Sequence, residues 1–258
     1  MPESRIVSLV PSITELLCDL GLSDQLVGRT GFCIHPWETV RRIPKVGGTK
    51  DIKLGRIREL EPTHVVVNVD ENRKEDAEAL ADFVPNIVVT HPQGPRDNLD
   101  LYRQMGETFD RQREAERLCA EFERAYERVT ERARPERQVL YLIWRDPWMT
   151  VSADTYISQT LALFNWHTMP ATQPGVLGNP VGDKGQRVRY PEVDPAGLAG
   201  EVDHVLLSSE PFHFKQPHIE ELETLVPGAK VTLIDGEMTS WYGSRAIAGL
   251  DYLAEFTA

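Results

Sequence analysis

The chain has 258 residues, of which 41% are hydrophobic and 26% charged, and it carries a formal net charge of −12. This length predicts one or two globular units, and no apolar run approaches the roughly 20 residues needed to cross a bilayer. Because the basic residues are interleaved with acids, the charge argues against nucleic acid or anionic lipid as a partner, and the odd number of cysteines, three, argues against a disulfide framework.

The first part of the chain alternates short β-branched runs with helical patterns, which favours a parallel α/β sheet. Residues 5–10 predict a strand, and residues 11–21 predict a helix with Ser12 as its N-cap and Gly21 at its end. The other elements predicted before residue 95 are strands at 25–30, 63–69 and 86–90 and helices at 51–60 and 74–83. Together they predict one complete lobe.

A long helical pattern follows, with apolar residues at helical spacing and no proline between Asp97 and Ala133. Its uninterrupted part begins at Glu107 and predicts a helix of about 27 residues, or roughly 40 Å, long enough to span a domain. A second α/β series comes after it, with strands at 137–144, 203–209 and 230–235 and helices at 156–164, 217–225 and 244–256. We therefore expect three parts, an N-terminal α/β lobe at 1–106, a backbone helix at 107–134 and a C-terminal α/β lobe at 135–258.

Two stretches of the chain follow a common pattern. Residues 60–72 (LEPTHVVVNVDEN) and 200–212 (GEVDHVLLSSEPF) each have an acidic lead-in, His-Val, two more aliphatic residues, two small or polar residues and an acid. The match is short, but it predicts that these stretches form equivalent strands of two similar lobes.

This arrangement resembles the class III substrate-binding proteins of ABC importers, the helical-backbone metal receptor superfamily that carries cobalamin, haem and iron siderophores. The resemblance extends over residues 5–255, and besides the central helix it is carried by RIVSLVPSITELLCDLGL, LVGRTGFCIHP and IPKVGGTKDIKLGRIRELEPTHVVV. It implies two Rossmann-like α/β lobes joined by one long rigid α-helix, with a ligand cleft between the lobes and ligand contacts on the loops that follow strand ends.

A corrin, haem or ferric chelate has apolar faces and polar edges, so a receptor for it needs aromatic platforms and a few donors. The platforms we expect are Trp37, Trp148, Phe212, Trp241 and Tyr242, and the donors are Arg29, Arg145 and Arg245. The loops around Trp148 and Trp241 contain polar residues and proline, which favours exposure and ligand contact over burial. Arg245 begins a predicted helix, where its charge opposes the macrodipole, and this favours a recruited role. The other loop residues assigned to the ligand site are Ser12, Phe32, His35, Thr49, Asn68 and Tyr190.

Two features leave the ligand open. Cobalamin-binding members of the superfamily often have tryptophan at positions that align with Thr49 and Asn68, so part of their aromatic platform is absent here. Cys33 and His35 supply only two of the four ligands of a closed zinc site. His35 is therefore either an axial ligand to cobalt or iron already held in a macrocycle, or a turn residue beside an inward-facing Cys33.

The sequence lacks the GxxxxGK[ST], GxGxxG and GxSxG patterns, so we expect neither nucleotide binding nor an enzyme, and we assign no catalytic residue. The resemblance implies a receptor that delivers a cobalamin-like corrinoid or another metal chelate to an ABC importer, with no intrinsic cofactor. The alternatives are a cytoplasmic corrinoid-, tetrapyrrole- or siderophore-binding protein of the same fold, and an enzyme that acts on such a ligand.

The resemblance also implies that a surface acid on each lobe pairs with arginines of an ABC permease. Glu71 or Glu75 in the first lobe and Glu210 in the second stand at suitable positions after equivalent strands. We expect a monomer without membrane insertion. No secretory leader follows Met1, which predicts a cytoplasmic protein, whereas removal of a leader would place it in the periplasm or at the cell surface.

Overall fold

The computed structural model describes residues 4–171 and 189–258. The chain divides into two compact units that do not follow the sequence order strictly. Unit 1 comprises Met1–Pro92, Arg96–Phe122 and Tyr242–Arg245, and unit 2 comprises Gln93–Pro95, Glu123–Trp241 and Ala246–Ala258. The division at residues 106 and 134 stays a prediction. Among the described residues, no helix is both long enough and apolar enough to cross a membrane.

Unit 1 contains a four-stranded sheet in the order β2-β1-β3-β4, and all its strand pairs are parallel. Its strands are β1 (Ile6–Ser8), β2 (Leu26–Arg29), β3 (His64–Asn68) and β4 (Asn86–Thr90). Its helices are α1 (Pro11–Asp19), α2 (Trp37–Val40), α3 (Leu54–Glu59), α4 (Lys74–Ala81) and α5 (Asp97–Thr108). Val7, Val65 and Val67 pack in its core, as expected for strands of a parallel sheet covered on both faces. Every strand predicted for the first lobe is confirmed.

The first helix begins differently from its prediction. Its N-cap is Val10, which makes no side-chain capping bond, and Ser12 lies inside the first turn. The predicted Ser12 cap is wrong because Pro11 occupies the first helical position, where its fixed φ and missing N–H are compatible with a helix start. The predicted end is confirmed, since Gly21 has φ +75°.

The helix predicted from Glu107 is present as α6 (Gln112–Thr130), but it begins later and is shorter than predicted, because α5 continues to Thr108 and a turn separates the two helices. Asp110 has φ +55°, which interrupts the helical backbone, and the N–H of Arg111 donates to the carbonyl of Gly106 over 2.7 Å. A Cβ on Gly106 would lie 2.6 Å from the Ala115 side chain, so the glycine allows the two helices to pack closely after the turn.

Unit 2 contains a second parallel sheet, in the order β6-β5-β7-β8. Its strands are β5 (Arg137–Leu142), β6 (Trp166–Thr168), β7 (His204–Ser208) and β8 (Lys230–Ile234). The helices after β5 are α7 (Tyr156–Ala162), α8 (Gln216–Leu225), α9 (Gly236–Ser240) and α10 (Arg245–Phe256). The sequence predicted three of these strands and missed β6, which has only three residues.

The two sheets have the same strand order, and β3 and β7 occupy the same place in it. These strands are the cores of the two similar stretches, 60–72 and 200–212, so their predicted equivalence is confirmed. In unit 2, Leu140, Leu142, Val205 and Leu207 form the centre of the core, in the same way as the valines of unit 1.

Candidate functional site

Ligands of parallel α/β sheets bind at the carboxyl ends of the strands, on the loops that follow them. After β2, the loop of residues 31–36 and the start of α2 expose two large aromatic side chains, Phe32 (62% exposed) and Trp37 (56%). Cys33 points the other way. Its buried thiol lies 3.0 Å from Thr14 Oγ1 and 3.1 Å from Thr30 Oγ1, and burial raises its pKa. The inward cysteine fixes a loop that presents its aromatic residues to solvent.

A glycine-rich loop at residues 47–51 supports Phe32. Gly31 N–H donates to Gly47 O over 2.8 Å, and a Cβ on Gly48 would lie 3.4 Å from the Phe32 ring. Gly47 itself has φ +117° and no room for a side chain, because a Cβ there would lie 2.2 Å from Asp51 O. The two loops therefore form one surface at the carboxyl end of β2.

Asn68 organises the turn that follows β3. It is buried, its N–H donates to Asn72 Oδ1 over 2.8 Å, and its side-chain amide donates to Thr90 O over 3.1 Å. Its Oδ1 accepts from the N–H groups of Asp70, over 2.8 Å, and Glu71, over 3.3 Å. The structure thus uses the Asn68 side chain to position Glu71, and the assignment of Asn68 to ligand contact stays a prediction.

Thr49 and Lys50 connect the glycine-rich loop to the same turn. The Thr49 carbonyl accepts from Asn72 Nδ2 over 3.0 Å, and Lys50 Nζ donates to the Asp70 carbonyl over 2.7 Å. Desolvation lowers the pKa of Lys50, with Glu71 and Asp70 opposing that change. The carboxyl ends of β2 and β3 therefore meet in one hydrogen-bonded surface.

The segment Tyr242–Arg245 belongs to unit 1 and contacts this region. Tyr242 Oη donates to Glu71 Oε1 over 2.5 Å, and burial together with Glu71 raises the tyrosine's pKa well above its usual value. Gly243, at φ +85°, donates to Asn98 Oδ1 over 2.7 Å and accepts from Tyr102 Oη over 2.9 Å. Three hydrogen bonds, with the side chains of Glu71, Asn98 and Tyr102, thus hold the segment in place.

Arg245 forms a bidentate ion pair with Glu15, in which Nε and Nη2 each lie 2.7 Å from a carboxylate oxygen. Both side chains are largely buried. The pair provides a negative partner for the arginine at the start of α10, which relieves the conflict with the macrodipole noted from the sequence. A contact between Arg245 and ligand stays a prediction.

In unit 2, the loops after β5 and β7 form a cluster of aromatic rings. The Phe212 ring lies 5.6 Å from Trp144 and 4.8 Å from Phe214 between centroids, and Phe214 stacks on Trp148 at 6.1 Å. His218 packs edge-on against both phenylalanines. Trp144 is 40% exposed, so the cluster reaches the surface at this edge of the sheet. Trp148 and Phe212 were predicted as platforms, whereas Phe214 and His218 were missed.

Arg145 extends this cluster with a charge. Its guanidinium carbon lies 4.9 Å from the centre of the Trp148 ring, and Nη2 and Nε bond the Glu221 carboxylate over 2.6 and 3.0 Å. A further bond joins it to Asp146. These acids raise the pKa of Arg145. The guanidinium is fixed over the indole face, an arrangement that combines a cation with an aromatic surface.

Trp241 contacts the turn after β7. It is 8% exposed, and its Nε1 donates to Glu210 Oε1 over 2.7 Å, as does Ser240 Oγ over 3.1 Å. Burial raises the pKa of Glu210, although both hydrogen bonds oppose the rise. The expectation of an exposed Trp241 is therefore wrong, since the indole is enclosed and bonded to an acid.

The remaining predicted residues differ in how far their side chains are exposed. Tyr190 is exposed, and the carbonyls of the residues on either side of it accept hydrogen bonds from the backbone N–H groups of residues 150 and 152. Glu75 is exposed on α4. His35 is half-buried, and Ser12 is buried. Arg29 cannot serve as a donor to an external ligand here, because its side chain is 1% exposed and donates to the Val40 and Thr30 carbonyls.

Among the described residues, no group of three or more His, Cys, Asp or Glu side chains is arranged to hold a metal ion.

The two units are parallel α/β lobes of identical strand order, and both expose large aromatic side chains in the loops that follow their strands. The family model described as "Periplasmic binding protein" matches residues 6–181, and the chain belongs to this family. The predicted resemblance is therefore confirmed.

Curated relatives include the vitamin B12-binding protein of Vibrio campbellii, which is 28% identical over 163 residues, covering 61% of this chain and 58% of the relative. The uncharacterized ABC transporter substrate-binding lipoprotein YvrC of Bacillus subtilis is 25% identical over 181 residues, covering 66% of this chain and 57% of the relative. The matches thus span less than two thirds of the length of these relatives.

Solved structures extend the similarity to the whole chain. The periplasmic vitamin B12 binding protein BtuF of Vibrio cholerae has a TM-score of 0.81 at 15% identity, covering 99% of this chain and 97% of that one. The periplasmic heme-binding protein RhuT from Roseiflexus sp. RS-1 has a TM-score of 0.78 at 20% identity, covering 98% and 97%. At these identities the similarity concerns the fold, and it confirms the predicted pair of α/β lobes.

Proposed function

We propose that this protein binds a metal chelate, a cobalamin-like corrinoid or a tetrapyrrole, and delivers it to an ABC importer. The observation that carries the proposal is the exposure of large aromatic side chains at the carboxyl edges of the sheets, Phe32 and Trp37 in unit 1 and Trp144 and Tyr190 in unit 2. Membership of the periplasmic binding protein family supports it, as do relatives whose names include vitamin B12-binding and heme-binding proteins.

The chemistry of these surfaces fits a flat ligand with polar edges. Aromatic rings exposed to water gain about 2 kcal/mol each when a ligand buries them, whereas charges at the rim determine orientation. Unit 1 offers Phe32 and Trp37, with the Lys50 ammonium on the neighbouring glycine-rich loop. Unit 2 offers the Trp144–Phe212 contact and the Arg145 guanidinium over Trp148. The proposed activity is binding without covalent change.

His35 is the candidate axial ligand to a metal held in the chelate. It lies in the same loop as Phe32 and Trp37, and its side chain is half-buried. A metal already held in a macrocycle needs only one protein ligand, which an imidazole in this loop can supply. His35→Ala tests this point, because loss of the axial ligand changes the visible spectrum of the bound chelate, whereas an unchanged spectrum and affinity contradict it.

Delivery to an importer requires a permease and a location outside the cytoplasmic membrane, and both belong to the proposal. Of the three acids expected to dock on a permease, Glu75 is exposed on α4, whereas Glu71 and Glu210 accept hydrogen bonds within the chain. Glu75 therefore has the environment expected of a docking acid.

Titration with cyanocobalamin, cobinamide, haemin and a ferric siderophore, followed by calorimetry and absorbance, tests the proposed function. We expect one of these ligands to bind with a dissociation constant below roughly 10 µM, corresponding to about −7 kcal/mol. The matched control is Val89→Ala, which removes an exposed apolar side chain from β4 instead of from the loops. If all four ligands fail to bind at this level, the proposal is wrong.

A further inference from the structure

Two carboxylates in corresponding places of the two sheets bind neighbouring aromatic residues. Glu71 follows the end of β3, and Glu210 follows the end of β7, the strand at the same position of the other sheet. Tyr242 donates to Glu71 over 2.5 Å, and Trp241 donates to Glu210 over 2.7 Å. Consecutive residues of the chain therefore engage an acid in the turn after the third strand of each sheet, one in each unit.

The donors on both aromatic residues are buried. Trp241 and Tyr242 are each 8% exposed. A buried N–H or O–H that lacks an acceptor carries the full desolvation cost of that group, so each carboxylate satisfies a donor that water does not reach freely. Because the acceptor is charged, each bond is stronger than one between neutral groups.

Both acids are themselves held in position from the strand side. Asn68 Oδ1 accepts from the Glu71 N–H over 3.3 Å, and Ser208 Oγ donates to the Glu210 carbonyl over 2.6 Å. A Cβ on Gly236 would lie 2.7 Å from Glu210 Cγ, which shows how closely the backbone approaches this side chain. Strand ends thus fix the acids, and the acids fix the aromatic rings.

We propose that Glu71 and Glu210 are positioning residues that orient Tyr242 and Trp241, and that their carboxylates serve the chain's own aromatic pair instead of a partner protein. As far as ligand affinity is concerned, this inference rests on the proposed function. The orientation of the rings is a property of the protein without ligand, and it is measured separately.

The test uses Glu210→Ala, Glu210→Gln, Trp241→Phe and the Glu210→Ala/Trp241→Phe double variant. Glu223→Ala, on α8, is the control for an exposed acid. Phenylalanine keeps the ring at position 241 but removes the N–H donor, and glutamine at 210 keeps an oxygen acceptor without the charge. The measurements are tryptophan emission and near-UV circular dichroism of the ligand-free protein, and dissociation constants for haemin and cyanocobalamin.

We expect Glu210→Ala to change the emission of the ligand-free protein and to weaken ligand binding about tenfold, as loss of a charge-assisted bond predicts. Glu210→Gln should weaken ligand binding less than Glu210→Ala, by about threefold, because a neutral acceptor is kept. Glu223→Ala should leave the affinity within about twofold of that of the parent protein, because it does not touch the acceptor. In the Trp241→Phe background, Glu210→Ala should weaken ligand binding by less than a further factor of about two, since the N–H donor of Trp241 is already absent.

Glu71→Ala, Glu71→Gln and Tyr242→Phe repeat the test in unit 1 with the same expectations. The proposal is overturned if the alanine variants leave the spectra unchanged. It is also overturned if the glutamine variants lose as much ligand affinity as the alanine variants, or if the losses of affinity in the double variant are additive. If the parent protein binds none of the four chelates of the titration, the proposed function fails, and the spectra of the glutamine and alanine variants alone decide the positioning role.

Discussion

Gly47 is the residue whose identity the backbone restricts most clearly. Its φ of +117° lies outside the regions that residues with a side chain adopt, and a Cβ would meet Asp51 O at 2.2 Å. We expect Gly47→Ala to lower the free energy of unfolding by about 2–3 kcal/mol. Chemical denaturation measures this change.

Gly55 supplies the matched control. It lies in α3, and no atom stands within 4 Å of the position that its Cβ would take. Gly55→Ala should therefore raise the free energy of unfolding by about 0.5–1 kcal/mol, because alanine favours the helix. Equal effects of the two substitutions would contradict the argument that the Gly47 backbone requires glycine.

Phe32 tests the exposed aromatic surface at the scale of one side chain. Because it is 62% exposed, Phe32→Ala should change the free energy of unfolding by less than about 0.5 kcal/mol. If the ring is a ligand platform, the same substitution should weaken chelate binding about tenfold. Trp37→Ala offers an independent measurement in the same loop. A loss of stability without a loss of affinity would assign the ring to structure.

Single residues also show where sequence reasoning reaches its limit. Phe32 and Trp37, which the sequence assigned to the ligand site, are exposed, and Cys33 faces inward, as one of the two alternatives for this loop expected. The bond between Tyr242 and Glu71 joins residues 171 positions apart, and no local pattern records such a pair. Trp241 was misjudged for the same reason, since its partner Glu210 lies in a different element.

At the scale of elements, the strands were predictable because continuous aliphatic runs such as 64–68 are typical of strands buried on both faces. The position of the break between α5 and α6 was predicted less well, because the uninterrupted helix was expected to begin at Glu107, directly after Gly106, whereas α6 begins at Gln112. Gly106 lies in α5, where its lack of a side chain allows the close approach of Ala115.

Asp110 tests the origin of this break. Its φ of +55° is costly for most residues, tolerated by aspartate and favourable for glycine. We expect Asp110→Gly to raise the free energy of unfolding by about 0.5–1 kcal/mol and Asp110→Ala to lower it by a similar amount. Thermal unfolding of both variants measures the difference. Stabilisation by alanine would mean that the residues favour one continuous helix in solution.

At the scale of the whole molecule, both sheets have the same strand order, which affects more than the course of the chain. It places chemically similar residues at equivalent positions, so that one physical effect acts twice in the same chain. His64 and His204 illustrate this, since each begins the third strand of its sheet order, β3 or β7. Each packs on an aromatic ring, His64 against Phe109 at 5.0 Å and His204 against Trp166 at 4.6 Å.

Desolvation lowers the pKa of both histidines below the ordinary value of 6.5. The folded protein therefore binds these protons less readily than the unfolded chain does. Their contribution to stability is complete above pH 6.5 and is lost as the pH falls through the lower folded values. Glu210 acts in the opposite direction, because burial raises its pKa, so its contribution is present below the ordinary value of 4.5 and is lost as the pH rises through the folded value.

The two effects can be separated by substitution. Between pH 7 and pH 5.5, we expect the melting temperature of the parent protein to fall, and to fall less in a His64→Gln/His204→Gln variant, whose side chains do not titrate. Glu210→Gln removes the opposing group, so in a series extended down to pH 4.5 its melting temperature should fall more steeply than that of the parent. Each single histidine variant should account for part of the difference, because the two residues lie in separate units and their effects should add. An identical pH dependence in the parent and the double variant would show that these two histidines do not control acid stability.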